Sequence, residues 1–426
     1  MKFKHLLLTA SVMALFSSCS NDELVSESTS HGDAIAFSVT TTNATRAADY
    51  WCNSNLPNNF AVSAAYCDGT NTAFYFKDDI FKKDGETSNY VTNDGNYRYW
   101  PELPATTPEG TPSKYVNIYA YKIKDDAADT GEGFAKFEWT SATGAPTIEM
   151  TPATAAADQH DLLYAYTQVT AKPGYGDKTA INFRHALSQI VFYAKCENTK
   201  VYVEIQEIAL MNAATSGTFT LPTGDNTTDG NLQDHTQADA AKTNGLGTWA
   251  LNYNEAKNHR SYTASCVKTL TPGAATWTNL TDQVNAEGTY TESEYTQSLL
   301  VLPHGKNTSN TDKLAAYEPK KDGTYKALSD VGGACIAIKC KIRNIAGDEV
   351  ATDDVYLWGS ASAYADLVVP VDFAWEQGKK YIYRINFSKT GHGGYNPGDG
   401  HEVLVPIQLS VTVDDFAKVT DIEKDI

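Results

Sequence analysis

The chain has 426 residues, more than one ordinary hydrophobic core accommodates, and about two domains are expected once the N-terminus is set aside. Its formal net charge of -18, with 20% charged residues, argues against nucleic acid as a partner, because phosphates reward clustered Lys and Arg. The 25 Tyr and 15 Phe, together with many Thr and Val, favour sheet over helix.

Lys2 and Lys4 precede an apolar run from Leu6 to Phe16, and Ser17, Ser18 and Cys19 follow. This is the charged segment, apolar segment and small-residue cleavage site of a signal peptide, and the cysteine marks a lipoprotein signal. Residues 1–18 are therefore expected to be removed and the Cys19 thiol acylated. A lipid anchor is implied, since no later run approaches the ~20 apolar residues of a spanning helix. Residues 19–32 are polar and read as a flexible tether.

The first strand lies in DAIAFSVTTTNATRAAD, residues 33–49. Ile35, Phe37 and Val39 share one face, and Ala36, Ser38 and Thr40 share the other. Arg46 follows among small residues, with no apolar periodicity to hide it, and the Arg46–Ala47 bond reads as an exposed protease site. Short alternating runs come next at 60–66, 71–76, 115–121 and 161–169, and the Asn93-Asp94-Gly95-Asn96 stretch marks a turn. Residues 172–179, rich in Pro, Gly and charge, read as the linker between two bodies.

In 179–195, the pairs Ile181 and Phe183, then Ile190 and Phe192, alternate across a break at 185–189, which suggests a bulge or turn within one strand. Residues 212–260 are dominated by Thr, Asn, Asp, Gly and Ala and read as an insertion or extended hairpin excursion. Further short strands are expected at 298–303, 335–342, 355–358 and 380–387. Cys335 and Cys340 lie five apart on one strand, so they face opposite ways and are not expected to pair. The terminal strand, within 403–416, puts Val403, Val405, Ile407, Leu409, Val411 and Val413 on one face. Pro406 lacks an N–H and places this strand at an edge. Regular short strands without intervening helices indicate a sandwich architecture.

Catalytic signatures are not found: the chain has no HExxH, CxxC, GxSxG or Walker GK[ST] sequence. The 52 acidic residues make neighbouring carboxylates inevitable, so they neither support nor oppose a glycosidase-like pair. Asp225, Thr227, Asp229 and Gly230 have the spacing of a calcium loop, but Thr236 stands where a bidentate Glu is required. His185 and His304 read as structural, hydrogen-bonded histidines. The aromatic clusters could stack on sugars, although their period of two reads better as sandwich core. No enzyme activity, cofactor or metal is expected.

Several stretches together resemble the fimbrillin family, subunits of type V pili and related lipoproteins of Gram-negative anaerobes. They are the lipoprotein signal, AIAFSV followed by Thr45-Arg46-Ala47, Tyr99-Trp100-Pro101, INFRHALSQIVF, LLVLPH, and FAWEQGKKYIYRINF leading to the last strand. The resemblance implies an all-β fold of two tandem transthyretin-like β-sandwich domains, at 33–172 and 179–426, after a lipoprotein signal peptide. It further implies lipidation at Cys19, attachment to the outer membrane through that lipid before processing, and cleavage after Arg46 at the cell surface by an Arg-specific protease, which places the chain in the fimbrium. Removal of strand 33–46 would open a groove for another pilus subunit's strand, the candidate donor strand of this chain being 403–416. The alternatives are an uncleaved pilus anchor, a tip adhesin with a host or bacterial receptor, or a surface glycan-binding lipoprotein using 212–260 and exposed Trp residues.

Overall fold

The computed structural model describes residues 33–41, 56–85, 88–92, 95–123, 135–223, 246–253, 256–281, 298–305, 314–346 and 354–415. In chain order its strands are β1 (Phe37–Thr41), β2 (Asn59–Cys67), β3 (Thr72–Lys83), β4 (Asn89–Thr92), β5 (Tyr115–Lys122), β6 (Ala135–Glu138), β7 (Thr147–Met150) and β8 (Leu163–Val169). Next come β9 (Thr179–His185), β10 (Ser188–Cys196), β11 (Val201–Met211), β12 (Ser216–Thr220), β13 (Thr248–Asn252), β14 (Arg260–Leu270), β15 (Thr278–Asn279) and β16 (Leu299–Val301). The set closes with β17 (Lys320–Lys321), β18 (Thr324–Tyr325), β19 (Cys335–Asn344), β20 (Val355–Trp358), β21 (Ala365–Pro370), β22 (Lys379–Tyr395) and β23 (Glu402–Asp415). One α-helical turn, Leu328–Val331, and one 3-10 turn, Ala156–Asp158, are the only helices among the described residues. The fold is all-β.

Three sheets carry the architecture. The first is a closed barrel in the order β1-β4-β3-β2-β5-β8-β9. Its interior is filled by Ile35, Phe37, Val39, Phe60, Val62, Val116, Ile118, Leu163, Ile181 and Phe183. The second is a ten-stranded sheet built on β14-β11-β19-β21-β22-β10-β15, with β16, β20 and β23 added on β10, β19 and β22. The third, β13-β12-β7-β6, combines two strands from each half of the chain. It packs on the outside of the barrel, where Ile148, Met150, Phe219 and Trp249 meet Tyr119, Tyr121, Tyr164 and Tyr166.

That outer layer explains the aromatic spacing. In β5 and β8 the aliphatic residues Val116, Ile118, Leu163 and Ala165 point into the barrel, while the intervening tyrosines are buried beneath the third sheet. Period two with both faces apolar is what a strand needs when it is covered on both sides.

The linker expected at 172–179 does not carry the chain out of the barrel. Residues 172–178 connect β8 to β9 within the barrel, and β9 pairs with both β8 and β1. The chain leaves the barrel instead at Ala186 and Leu187, between β9 and β10. What reads in sequence as a bulge is this crossing from one sheet to another. Trp249 Nε1 donates to Ala186 O at 2.9 Å and Gly378 N donates to Leu187 O at 2.8 Å, which satisfies the backbone of the crossing. The expected insertion at 212–260 contributes β12 and β13 to the third sheet, with 224–245 outside the described residues.

Candidate functional site

β1 closes the barrel. It pairs in parallel with β9, from Phe37↔Thr179 to Thr41↔Phe183, and antiparallel with β4, through Phe37↔Tyr90 and Ser38↔Asn89. Thr179 N donates to Ala36 O at 3.0 Å and Val39 N to Ser88 O at 3.0 Å, so both edges of the strand are engaged. Ile35, Phe37 and Val39 are fully buried. The Phe37 ring meets Phe81 edge-on at 4.7 Å and Phe60 at 6.2 Å. Phe60 in turn lies 4.8 Å from Tyr90 and 5.0 Å from Phe183. The alternation legible in the sequence therefore corresponds to a strand whose inner face is barrel core and whose two edges hold β4 and β9 apart.

A second contact secures the start of this strand. Ile35 N donates to Arg98 O at 2.6 Å, and Ala34 bridges Tyr99. Arg98 is fixed by Asp79 through Nε at 2.5 Å and Nη2 at 3.2 Å, and this carboxylate holds its guanidinium above the usual Arg range. Arg98 and Tyr99, which follow the sequence-predicted turn, are thus also neighbours of the start of β1. No local pattern announces that pairing.

The expected site residues Cys19, Arg46 and Ala47 lie outside the described residues, as do Cys52 and the Asp225–Thr236 loop. At the other end of the chain, β23 pairs only with β22, antiparallel, from Lys379↔Asp415 to Tyr395↔Glu402. It is an edge strand, as Pro406 suggests. Its apolar face divides into two parts. Val403, Val405 and Ile407 are buried in the core of the ten-stranded sheet and Leu409 packs against that core, whereas Val411 and Val413 are 46% and 53% exposed. Alternation alone does not reveal where along a strand the covering layer stops.

His185 and His304, expected as hydrogen-bonded histidines, are both buried. His304 is buried beside Trp375, with ring centroids 5.4 Å apart. Its Nε2 accepts from Ala214 N at 3.2 Å, and its Nδ1 lies 3.3 Å from the Tyr253 hydroxyl. Burial pulls its pKa down to about 4, so it is neutral at physiological pH. His185 Nδ1 lies 2.5 Å from Asp161 Oδ2, both side chains fully buried, at the end of β9. Asp161 Oδ1 accepts from Leu162 N at 2.8 Å.

Among the described residues, no group of three or more His, Cys, Asp or Glu side chains could hold a metal ion. No helix among them is long and apolar enough to cross a membrane. Cys335 and Cys340 are free thiols on opposite faces of β19, packed in different cores. None of the described tryptophans is exposed: Trp139, Trp249 and Trp375 are buried, and Trp100, Trp277 and Trp358 are half-buried. A sugar platform of exposed indoles is therefore not present among them.

No family model matches the chain, and no curated protein matches it. Solved structures do. A protein from Bacteroides ovatus, provisionally described as a cell adhesion protein, is 12% identical, covers 91% of this chain and 99% of its own, and superposes with a TM-score of 0.40. A similarly described protein from Parabacteroides distasonis is 10% identical, with coverage of 90% and 99% and a TM-score of 0.40. A fimbrial assembly protein from the same species is 9% identical, with coverage of 89% and 99% and a TM-score of 0.31.

Proposed function

We propose that the chain is a structural subunit of a cell-surface pilus, exported as a lipoprotein through Cys19 and assembled by strand exchange after cleavage at Arg46. The observation that carries this reading is β1: a short strand engaged on both edges, with three fully buried side chains, followed five positions later by an arginine among small residues. Cutting after Arg46 severs β1 from the rest of the barrel. Its departure would expose three core pockets, a gross cost of roughly 5–9 kcal/mol at about 1.5–3 kcal/mol per side chain. It would also expose the inner edges of β4 and β9. An extended segment from another subunit recovers both contributions, the backbone ladders supplying affinity and the alternate pockets supplying register. Before cleavage, β1 fills the space and leaves no open edge there.

One observation favours a position at the end of a fibre, as anchor or tip. The first half of β23 belongs to its own core, so the strand is not free as a whole, and the subunit accepts a strand more readily than it donates one. The experiment is brief treatment of the purified, lipid-free precursor with an Arg-specific protease, followed by size analysis. Higher-order species that disappear in an Arg46→Ala variant support assembly by cleavage. Complete cleavage at Arg46 that leaves only monomers, even when other subunits are supplied, counts against it.

A further inference from the structure

The shape that β1 leaves behind constrains which strand can replace it. Its central pocket is aromatic: Phe37 sits among Phe60, Phe81 and Tyr90, within a core that also holds Phe76 and Phe183. The pockets two residues to either side hold the β-branched Ile35 and Val39. An occupant must therefore present an aromatic ring flanked at two-residue spacing by aliphatic side chains. It must also offer backbone groups on both edges, parallel to β9 and antiparallel to β4.

The terminal strand of a second copy does not meet this description. Residues 403–416 read VLVPIQLSVTVDDF: the apolar face from Val403 to Val413 carries no aromatic residue, and the one ring, Phe416, has the opposite parity and is flanked at two-residue spacing by Asp414 and Lys418 rather than by aliphatic side chains. An aliphatic side chain at the central position loses the edge-on ring contact and leaves a void, because the surrounding rings are positioned by their own mutual packing. Pro406 also has no N–H to offer to either ladder. Its Val403, Val405 and Ile407 are moreover held in their own core.

We infer that the β1 groove is selective for a strand from a different polypeptide, one bearing a central aromatic residue flanked by β-branched or other aliphatic residues, and that it discriminates against β23 of a second copy. This deepens the strand-exchange reading and rests on it. Assembly at this groove is then heterologous in partner, and a preparation of this chain alone does not build long homopolymers through it.

The test uses the full-length, lipid-free chain with the recognition sequence of a site-specific protease in place of residues 44–48. Departure of the native strand after cleavage is followed by mass spectrometry. Binding of fluorescent peptides is followed by anisotropy. The peptides are residues 33–41, the same with Phe37→Leu or Phe37→Ala, and residues 403–415. Peptide 33–41 is expected to bind, with Phe37→Leu weaker by about twofold to tenfold from the lost ring contact. Phe37→Ala is expected to be weaker by about a hundredfold or more, and peptide 403–415 by at least about tenfold. Peptide 403–415 binding as tightly as 33–41, or Phe37→Ala binding unchanged, overturns the selectivity and leaves strand exchange standing. A native strand that never leaves, or a vacated groove that takes none of the peptides, overturns strand exchange itself.

Discussion

The divided face of β23 makes a sharp quantitative prediction. Val405 and Ile407 are 1% and 6% exposed, inside the core that contains Trp375, Tyr383 and Phe387, whereas Val411 and Val413 on the same face are about half exposed. Truncating Ile407 to Ala removes apolar surface and leaves a cavity walled by residues fixed in neighbouring strands, a loss of about 2–4 kcal/mol. Val405→Ala deletes less and should lose about 1–3 kcal/mol. At Val413 roughly half the transfer contribution is already absent in the folded state and no closed cavity forms, so Val413→Ala should lose about 0.5 kcal/mol. Urea unfolding followed by tryptophan fluorescence reads these as shifts in midpoint at constant slope. Equal losses at Ile407 and Val413, or none at Ile407, would refute the conclusion that the first half of β23 is anchored in its own sheet.

The remaining predictions concern other parts of the fold. Phe37→Ala in the intact chain should cost about 3–5 kcal/mol by the same measurement, since the ring is fully buried among other rings. His304 has a folded pKa of about 4 against an ordinary value near 6.5. The unfolded chain therefore binds the extra proton between these values, and stability falls as pH drops from about 6.5 to about 4, by on the order of 3 kcal/mol. A His304→Gln variant should lose that part of the pH dependence, and a parallel acid titration of both proteins checks it. His185→Ala removes one partner of a fully buried pair and leaves Asp161 behind, so a loss of about 3–5 kcal/mol is expected in thermal or denaturant unfolding. Among the described cysteines, Cys67 should be the first to react with a thiol reagent under native conditions. Burial raises its pKa, but the Gly69 backbone and the Thr72 and Tyr115 hydroxyls outweigh that and leave it below the usual value. Burial pushes Cys196 up to about 11 and Cys266 up to about 12, and raises Cys335 and Cys340 as well. Peptide mapping after timed labelling distinguishes them.

Much of this was legible locally. Period-two apolar spacing marks β1, β5, β8 and β23, and the proline in β23 marks an edge, because side-chain direction in a strand depends only on parity. What spacing does not encode is which strand lies beside which. The Pro- and Gly-rich stretch at 172–178 has the composition of a linker, yet it joins neighbouring barrel strands, since a loop within a sheet and a loop between domains need the same residue types. The crossing at Ala186 and Leu187 is apolar and fully buried and carries none of the usual boundary residues. It is invisible for the same reason that the third sheet is: both are held by contacts between residues far apart in the chain. In the candidate site, Ile35, Phe37 and Val39 were identifiable, but their partners on β4 and β9 were not. The split in β23 depends on where Trp375 and its neighbours stop covering the sheet, which is a property of the assembled layers.

The closure of the barrel also fixes an order of events in time. β1 is the first of the described strands to be synthesised, yet its longest ladder pairs position 37 with position 179 and position 41 with position 183. It can engage only β4 until the chain has extended through β9, and contacts of such sequence separation form slowly because the intervening loop must first be ordered. The β1–β9 ladder that closes the barrel therefore cannot form until nearly the whole barrel sequence has been made. Until then the inner face of β1, with Ile35, Phe37 and Val39, lacks one of the two edges that hold it in place in the finished fold.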